Sequence, residues 1–437
     1  LDTEFGVLAD DSTNNSTAIQ TALNAVRDAH GGTLVFPNGI TRITGATSTD
    51  FNTKRGAVKL IGDGGKSIIR VGNGSASQVP TPSAFYIGNC PSVVVEGLTF
   101  LGTGVAGVED FARSVVFFAL VDRAIVRDCR FVNLAHTAPE DATFALNKGH
   151  GIVVNYQSNL VVDGCLFEGN QTFGCPNIDS YEWQSIVIRD TRFIDFGYVG
   201  SSQYNKLDDG NSYWIRAIFP LAHTSSGWHR NKVRLDGVTM DEGFHNGLFV
   251  DDAEWVEINN LGANNGLGEA VYLKNVENVS IKDMLAIHAN YPSLQSCKFE
   301  ACGSVDIDGL THASGILTVE TTSATKRLKI RRATGVAVTN TANSFIDADF
   351  AMPSTASAGA LAPLGKVTHV TGTTSITSIT TTNLKAGDEL TLIFDGVLTV
   401  TDGNNLKLAG NFVTTADDVL RLHYDGTNFY ELSRSVN

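Results

Sequence analysis

Nine short stretches of this chain spell one pattern: apolar, any residue, apolar, then a polar residue and a turn-former. SVVVEGLTF at 92–100, LVVDGCLF at 160–167, IVIRDTRF at 186–193, VRLDGVTM at 233–240 and SVDIDGL at 304–310 are examples. Taking the apolar residue just before the polar one as an anchor gives Val95, Val126, Val162, Ile188, Leu235, Ile258, Ile281, Ile307 and Ile330. Successive intervals are 31, 36, 26, 47, 23, 23, 26 and 23, so the longer ones read as 23 plus insertions. A unit of this length cannot bury an apolar face alone and must stack on its neighbours, which makes a solenoid. Period-two alternation inside each copy marks strands rather than helices.

Columns read through this register have uniform chemistry. Three residues after the anchor come Leu98, Cys129, Cys165, Thr191, Val238, Leu261, Met284 and Leu310, and five after it Phe100, Phe131, Phe167, Phe193 and Met240. Both columns suit inward stacks. Two after the anchor stand Gly97, Asp128, Gly164, Asp190, Gly237, Asn260, Asp283 and Gly309, types that tolerate the left-handed backbone of a sharp corner. One after it, Glu96, Arg127, Asp163, Arg189 and Asp236 open a polar column with mixed charge, which faces solvent. Rungs paired as parallel strands would set its members ~4.8 Å apart. The expected fold is all-β, a right-handed parallel β-helix.

Composition narrows the partners. The 32 Lys+Arg against 46 Asp+Glu give a net charge of −14, which disfavours nucleic acid and anionic membrane, since phosphate binding needs a basic face. No run of about 18 apolar residues exists to span a bilayer. The opening LDTEFGV has neither a charged nor an apolar region of signal-peptide type. Six cysteines (90, 129, 165, 175, 297, 302) show no C-x-x-C spacing, so neither a zinc site nor another cofactor is expected. They read as packed thiols, with a Cys129–Cys165 disulfide as the alternative.

The ends differ from the middle. NNSTAIQTALNAVRDAHGG reads as a helix capped by Ser16 or Thr17, with Ile19, Leu23 and Val26 on its apolar stripe, and such a helix would cover the open end of a solenoid. FGVLADDSTNNSTAIQTALNAV…GGTLVFPNGITRITG, followed by LIGDGGKSIIRVG, resembles the start of the pectate-lyase-like parallel β-helix superfamily, which includes phage tailspikes. GDGGKS is no P-loop, because Leu60 stands where the first glycine belongs. Residues 1–50 are expected to form the helix cap and first strand, 51–345 the β-helix, 346–365 a small-residue linker and 366–437 a β-module. Asp395-Gly396, Asp402-Gly403 and Asp425-Gly426 are its hairpin signals. The module resembles the carboxy-terminal modules of tailspikes. That resemblance implies a homotrimer on a virion tail spike, or alternatively a secreted bacterial enzyme. It also implies cleavage of a bacterial surface polysaccharide by hydrolysis or β-elimination.

A site must come from residues, because fold does not imply function. The largest insertions precede Leu235 and Val162 and would wall a groove over the middle coils. Seven residues before the anchors stand Asn155, Tyr181, Trp228, Asp251 and Lys274; six before stand Tyr156, Glu182, His229, Asp252 and Asn275. Aromatic faces stack on sugar rings, and carboxylates bond hydroxyls or move protons. Glu182 with Asp251 or Asp252 is the first candidate catalytic pair, and Asp208 with Asp209 the second. Glycosidases need two carboxylates roughly 5 Å apart for retention and 6.5–9.5 Å for inversion. Tyr156, Tyr181, Trp228, His229, Lys274 and His245 are candidate substrate contacts. Solvated surface carboxylates are the bland alternative in so acidic a chain. A lyase would need Lys, Arg or metal to neutralise a uronate; without a clustered Asp triad, hydrolysis leads elimination. A non-catalytic glycan-binding β-helix is the third reading.

Overall fold

The computed structural model describes all residues except 46, 52–55, 73–82, 103–113, 137–149, 156–158, 170, 173–177, 182, 195–212, 219–230, 242–245, 265–268, 288–295, 313–316, 323–324, 335, 341–344, 349–353, 383 and 437. Strands of successive coils pair in parallel through one continuous sheet that winds into three faces. The fold is a right-handed parallel β-helix.

Every anchor is in register with the next. Val95, Val126, Val162, Ile188, Leu235, Ile258, Ile281, Ile307 and Ile330 form one ladder on the second face, extended backwards by Leu60 and Leu34 and forwards by Ala348. All nine anchors are buried. On the third face Phe100, Phe131, Phe167 and Phe193 stack with centroids 5.0, 4.6 and 4.7 Å apart. Met240, Ala263 and Ala286 continue that ladder.

The corner after each anchor is left-handed, as its residue types predict: φ is 63° at Gly97, 52° at Asp128, 62° at Gly164, 46° at Asp190, 64° at Gly237 and 52° at Asp283. Asp side chains lean over the glycine of the next coil. A Cβ on Gly164 would stand 2.9 Å from Asp128 Oδ1, and one on Gly237 2.8 Å from Asp190 Oδ1. Beside this corner the polar column forms rung-to-rung ion pairs, Arg127–Glu96 at 2.7 Å and Arg189–Asp163 at 2.6 Å. Cys90, Cys129, Cys165, Cys297 and Cys302 are free thiols buried in the core; burial pushes Cys90 up to about 12. Cys175 lies outside the described residues.

The helix Ser16–Asp28 buries Ile19, Ala22, Leu23 and Val26. Asn15, not Ser16 or Thr17, is its N-cap, and no side-chain cap bond forms there. Asn15 is bound instead to the preceding loop, accepting from Leu8 N at 2.8 Å and donating to Leu8 O at 2.9 Å. Ser16 Oγ accepts from Gly45 N at 2.9 Å, which ties the helix to the first coils.

Phe345–Ala348 is the last rung. Beyond it Thr355–Ala356, Val367–Thr371, Glu389–Phe394, Val419–Tyr424 and Phe429–Ser435 share one sheet around a separate apolar cluster that includes Phe345, Leu361, Phe394 and Phe429. Of the three hairpin signals, Asp425-Gly426 joins adjacent antiparallel strands. Asp402-Gly403 makes a tight bridge from Gly403 to Leu406, and Asp395-Gly396 leaves the main sheet for the Thr399–Val400 ribbon. Charges pin the seam: Arg327 donates to both carboxylate oxygens of Asp388 at 3.2 Å, and Lys366 reaches Asp347 at 3.0 Å.

Candidate functional site

On the first face the register runs Gly88, Ala119, Asn155, Tyr181, Ile218, Asp251, Lys274, Glu300, Thr322. Asp251 and Lys274 therefore stand on adjacent rungs, as their spacing predicts, and Tyr181 is two rungs away by backbone pairing. Trp228 does not hold the position counting assigns it: Ile218 does. The insertion before Leu235 falls partly after this rung, between Ile218 and Asn231, so counting back from the anchor ends inside inserted chain. Glu182, Asp208, Asp209, Tyr156, Trp228, His229 and His245 lie outside the described residues, as does the side chain of Tyr181.

Asp252 occupies a second corner, between the first and second faces. Its φ is 67°, and Asn275 and Ala301, one position past Lys274 and Glu300, have φ of 52° and 53°. Asp and Asn at this corner thus have a backbone reason to be there. Asn231 fixes the turn by donating to Asp252 O at 2.7 Å.

Glu300, absent from the residues picked out above, completes a charge triad. Lys274 Nζ stands 3.9 Å from Asp251 Oδ2 and 4.0 Å from Glu300 Oε1. Through that shared ammonium the nearest oxygens of the two carboxylates can be no more than about 8 Å apart, a bound that admits both the roughly 5 Å of retaining pairs and the shorter part of the inverting range. Both are partly buried, with side chains 24% and 26% exposed. Asn275 Nδ2 donates to Asp251 Oδ1 at 2.8 Å, and Tyr272 Oη donates to Glu300 Oε2 at 2.7 Å. The Asp251 carboxyl is held above its ordinary value. Burial is the main cause, reinforced by Glu300 and opposed by Asn275 and Lys274. Burial and then Glu300 also push Tyr272 up, so it stays a donor.

A second column, two residues earlier on each rung, flanks the triad by backbone pairing: Tyr86, Phe117, Val153, Asp179, Arg216, Phe249, Tyr272, Lys298 and Glu320. Tyr86 stacks on Phe117 with centroids 5.3 Å apart, and Phe249 meets Tyr272 at 5.0 Å. Lys298 Nζ caps the Tyr272 ring 4.6 Å from its centroid. This aromatic column was readable as residues two before the acid column, at the outward parity of YLK and FVD. Glu300 was equally readable, seven residues before Ile307. Among the described residues no group of three His, Cys, Asp or Glu side chains could hold a metal, and no helix is long and apolar enough to cross a membrane.

No protein-family profile and no curated protein matches the chain. Among solved structures, the surface adhesin PfbA of Streptococcus pneumoniae is 10% identical over 99% of both chains with a TM-score of 0.45. A tailspike mutant of E. coli bacteriophage HK620, in complex with a hexasaccharide, is 11% identical over 98% of this chain and 90% of its own, with a TM-score of 0.46. A Thermotoga maritima exopolygalacturonase is 12% identical over 98% and 94%, with a TM-score of 0.35.

Proposed function

We propose that this chain binds a bacterial surface polysaccharide along its first face and hydrolyses it with inversion. Asp251 acts as the acid and Glu300 as the base. One observation carries the reading: two partly buried carboxylates in hydrogen-bonded but unlike settings, bridged by Lys274 and flanked by Phe249 and Tyr272. Inversion needs one protonated and one ionised carboxyl. Burial raises the hold of the Asp251 carboxyl on a proton, which in this reading goes to the leaving glycosidic oxygen. Glu300, oriented by Tyr272, takes the proton of a water attacking the opposite side of the sugar ring. Of the two rings Phe249 is buried and Tyr272 partly exposed, so Tyr272 is the one that could meet a sugar.

The exposed apolar side chains Val397, Val413, Tyr430 and Leu432 on the carboxy-terminal module support the homotrimer as part of the same proposal. Wild-type protein incubated with capsule, O-antigen and exopolysaccharide preparations is expected to release new reducing ends. Asp251→Asn and Glu300→Gln should each lower that rate by about 10²–10⁴-fold. Full activity in both variants overturns the assignment. Ultraviolet absorbance from unsaturated uronates would instead mean a lyase, and binding without shortening a receptor-recognition protein.

A further inference from the structure

We infer a distal sugar subsite on the second face, where Trp255 stacks on a ring of the polysaccharide some way along the chain from Asp251 and Glu300. The inference rests on the polysaccharide-binding part of the reading above and carries the bound glycan round a corner which that reading leaves out. Among the described residues of the β-helix, 51–345, the exposed large apolar side chains are Leu120, Trp255 and Leu285. Trp255 is the one aromatic ring of the three and is 40% exposed. No cation or aromatic ring among the described residues is stacked on it. Single exposed apolar side chains are commonplace. What sets this one apart is the coil that carries it and the side chains around it.

Val256 and Ile258 are buried, so Trp255 and Glu257 point outward from the sheet. Trp255 pairs in register with Lys232 on one neighbouring rung and with Asn278 on the other, each about 4.8 Å away. Glu257 pairs likewise with Arg234 and Ser280. One open indole is thus set among five polar side chains. The centre of a protein interface is instead depleted of charge and built from contiguous apolar groups. The arrangement fits a pyranose: the C–H face of the sugar lies on the indole, and its hydroxyls meet the amide, ammonium and carboxylate groups around the ring.

Asp251 and Trp255 share one coil and are four residues apart, so their α-carbons are separated by at most about 14 Å. The turn between them is pinned. Asp252 takes the left-handed corner at φ 67°. Buried Asn231 donates to Asp252 O at 2.7 Å and accepts from Glu254 N at 3.0 Å, and its carbonyl accepts from Trp255 N at 3.3 Å. The backbone beneath the indole is therefore fixed relative to that of Asp251 before a ligand arrives, which spares the ordering cost of binding. A long glycan that crosses the Asp252 corner touches both places, whereas a short fragment at the triad touches one.

The test uses the full chain and affinity electrophoresis through gels containing capsule, O-antigen or exopolysaccharide, in a Glu300→Gln background that leaves the glycan uncut. At least one preparation should retard the protein. Trp255→Ala should weaken that binding at least about tenfold, and Trp255→Tyr, which keeps a ring, should retain most of it. Leu285→Ala, an exposed apolar position on the third face, should change nothing. In the chain with Glu300 intact, Trp255→Ala should raise KM for the long glycan and leave kcat unchanged. The inference falls if no preparation binds, or if Trp255→Ala binds as its parent does. It falls equally if Trp255→Ala shifts the molar mass in light scattering and leaves glycan binding alone, which would make the ring a protein contact. Should Trp255→Ala fail to fold, Trp255→Gln decides alone. Binding that depends on Trp255 without glycan shortening sinks the hydrolase reading and leaves this one standing; shortening with an unchanged KM in Trp255→Ala does the reverse.

Discussion

Replacing Lys274 by methionine removes an ammonium that stands 3.9 Å from Asp251 and 4.0 Å from Glu300, while keeping most of the side chain's length. Coulomb's law puts a pair at that distance at about 1 kcal/mol in a water-like dielectric and about 4 kcal/mol at an effective constant of ~20. Lys274 is 37% exposed, so solvent screening pulls the value toward the lower figure. About 1.4 kcal/mol corresponds to one pKa unit. An acid that loses a cationic neighbour holds its proton more tightly, so the Asp251 carboxyl should titrate higher. For Asp251 this adds to a shift that burial already drives upward. In a bell-shaped rate profile the acidic limb reports the base and the alkaline limb the acid. Lys274→Met should therefore move the alkaline limb of the bell toward higher pH, a displacement read from kcat/KM for glycan shortening between pH 3 and 9. A stationary bell, or one moved toward acid, refutes the electrostatic coupling of the triad. A loss of rate with no displacement would mean that Lys274 binds substrate without tuning the carboxyls.

Other substitutions probe the scaffold. Gly164→Ala, at φ 62° and with its new Cβ 2.9 Å from Asp128 Oδ1, should cost about 1–2 kcal/mol in a guanidinium melt. Phe131→Ala opens a void between Phe100 and Phe167 and should cost about 3–5 kcal/mol in the same assay. Asp347 and Asp388 are buried, which alone would raise them. The bonds from Arg331 and Lys366 to the first, and from Arg327 to the second, win and hold both below their ordinary value. Their contribution is complete above the unfolded-state value, near pH 4, and is lost as pH falls through the lower folded values. The protection factors of the module's amides should therefore fall in acid in the wild type, and less so in Asp388→Asn.

The coil register was legible because a parallel ladder repeats its chemistry at fixed spacing. Anchors, phenylalanine stack and left-handed corners each needed one residue type per coil, so counting found them. Counting failed at Trp228, where an inserted segment lies between a rung and the anchor used to locate it. The helix cap was misassigned between neighbours: Asn15, Ser16 and Thr17 all have capping chemistry, and only the fold reveals that Asn15's amide serves the preceding loop. The acid pair needed the same column followed one rung further, to Glu300. No local motif marks that pair, since its members are 49 residues apart in sequence and meet only through the winding of the chain.

The two plugs of this solenoid have a consequence for its length and its company. A parallel ladder carries no stopping rule of its own: the last rung presents the same row of unsatisfied donors and acceptors as every rung before it, an invitation to another chain. At one mouth the Ser16–Asp28 helix seats Ile19, Leu23 and Val26 over the opening. At the other, Ile346 N donates to Leu364 O at 2.7 Å, and Lys366 N donates back to Ile346 O at 3.3 Å. On that face part of the terminal edge is thereby paired within the molecule, and less of it is left for another chain.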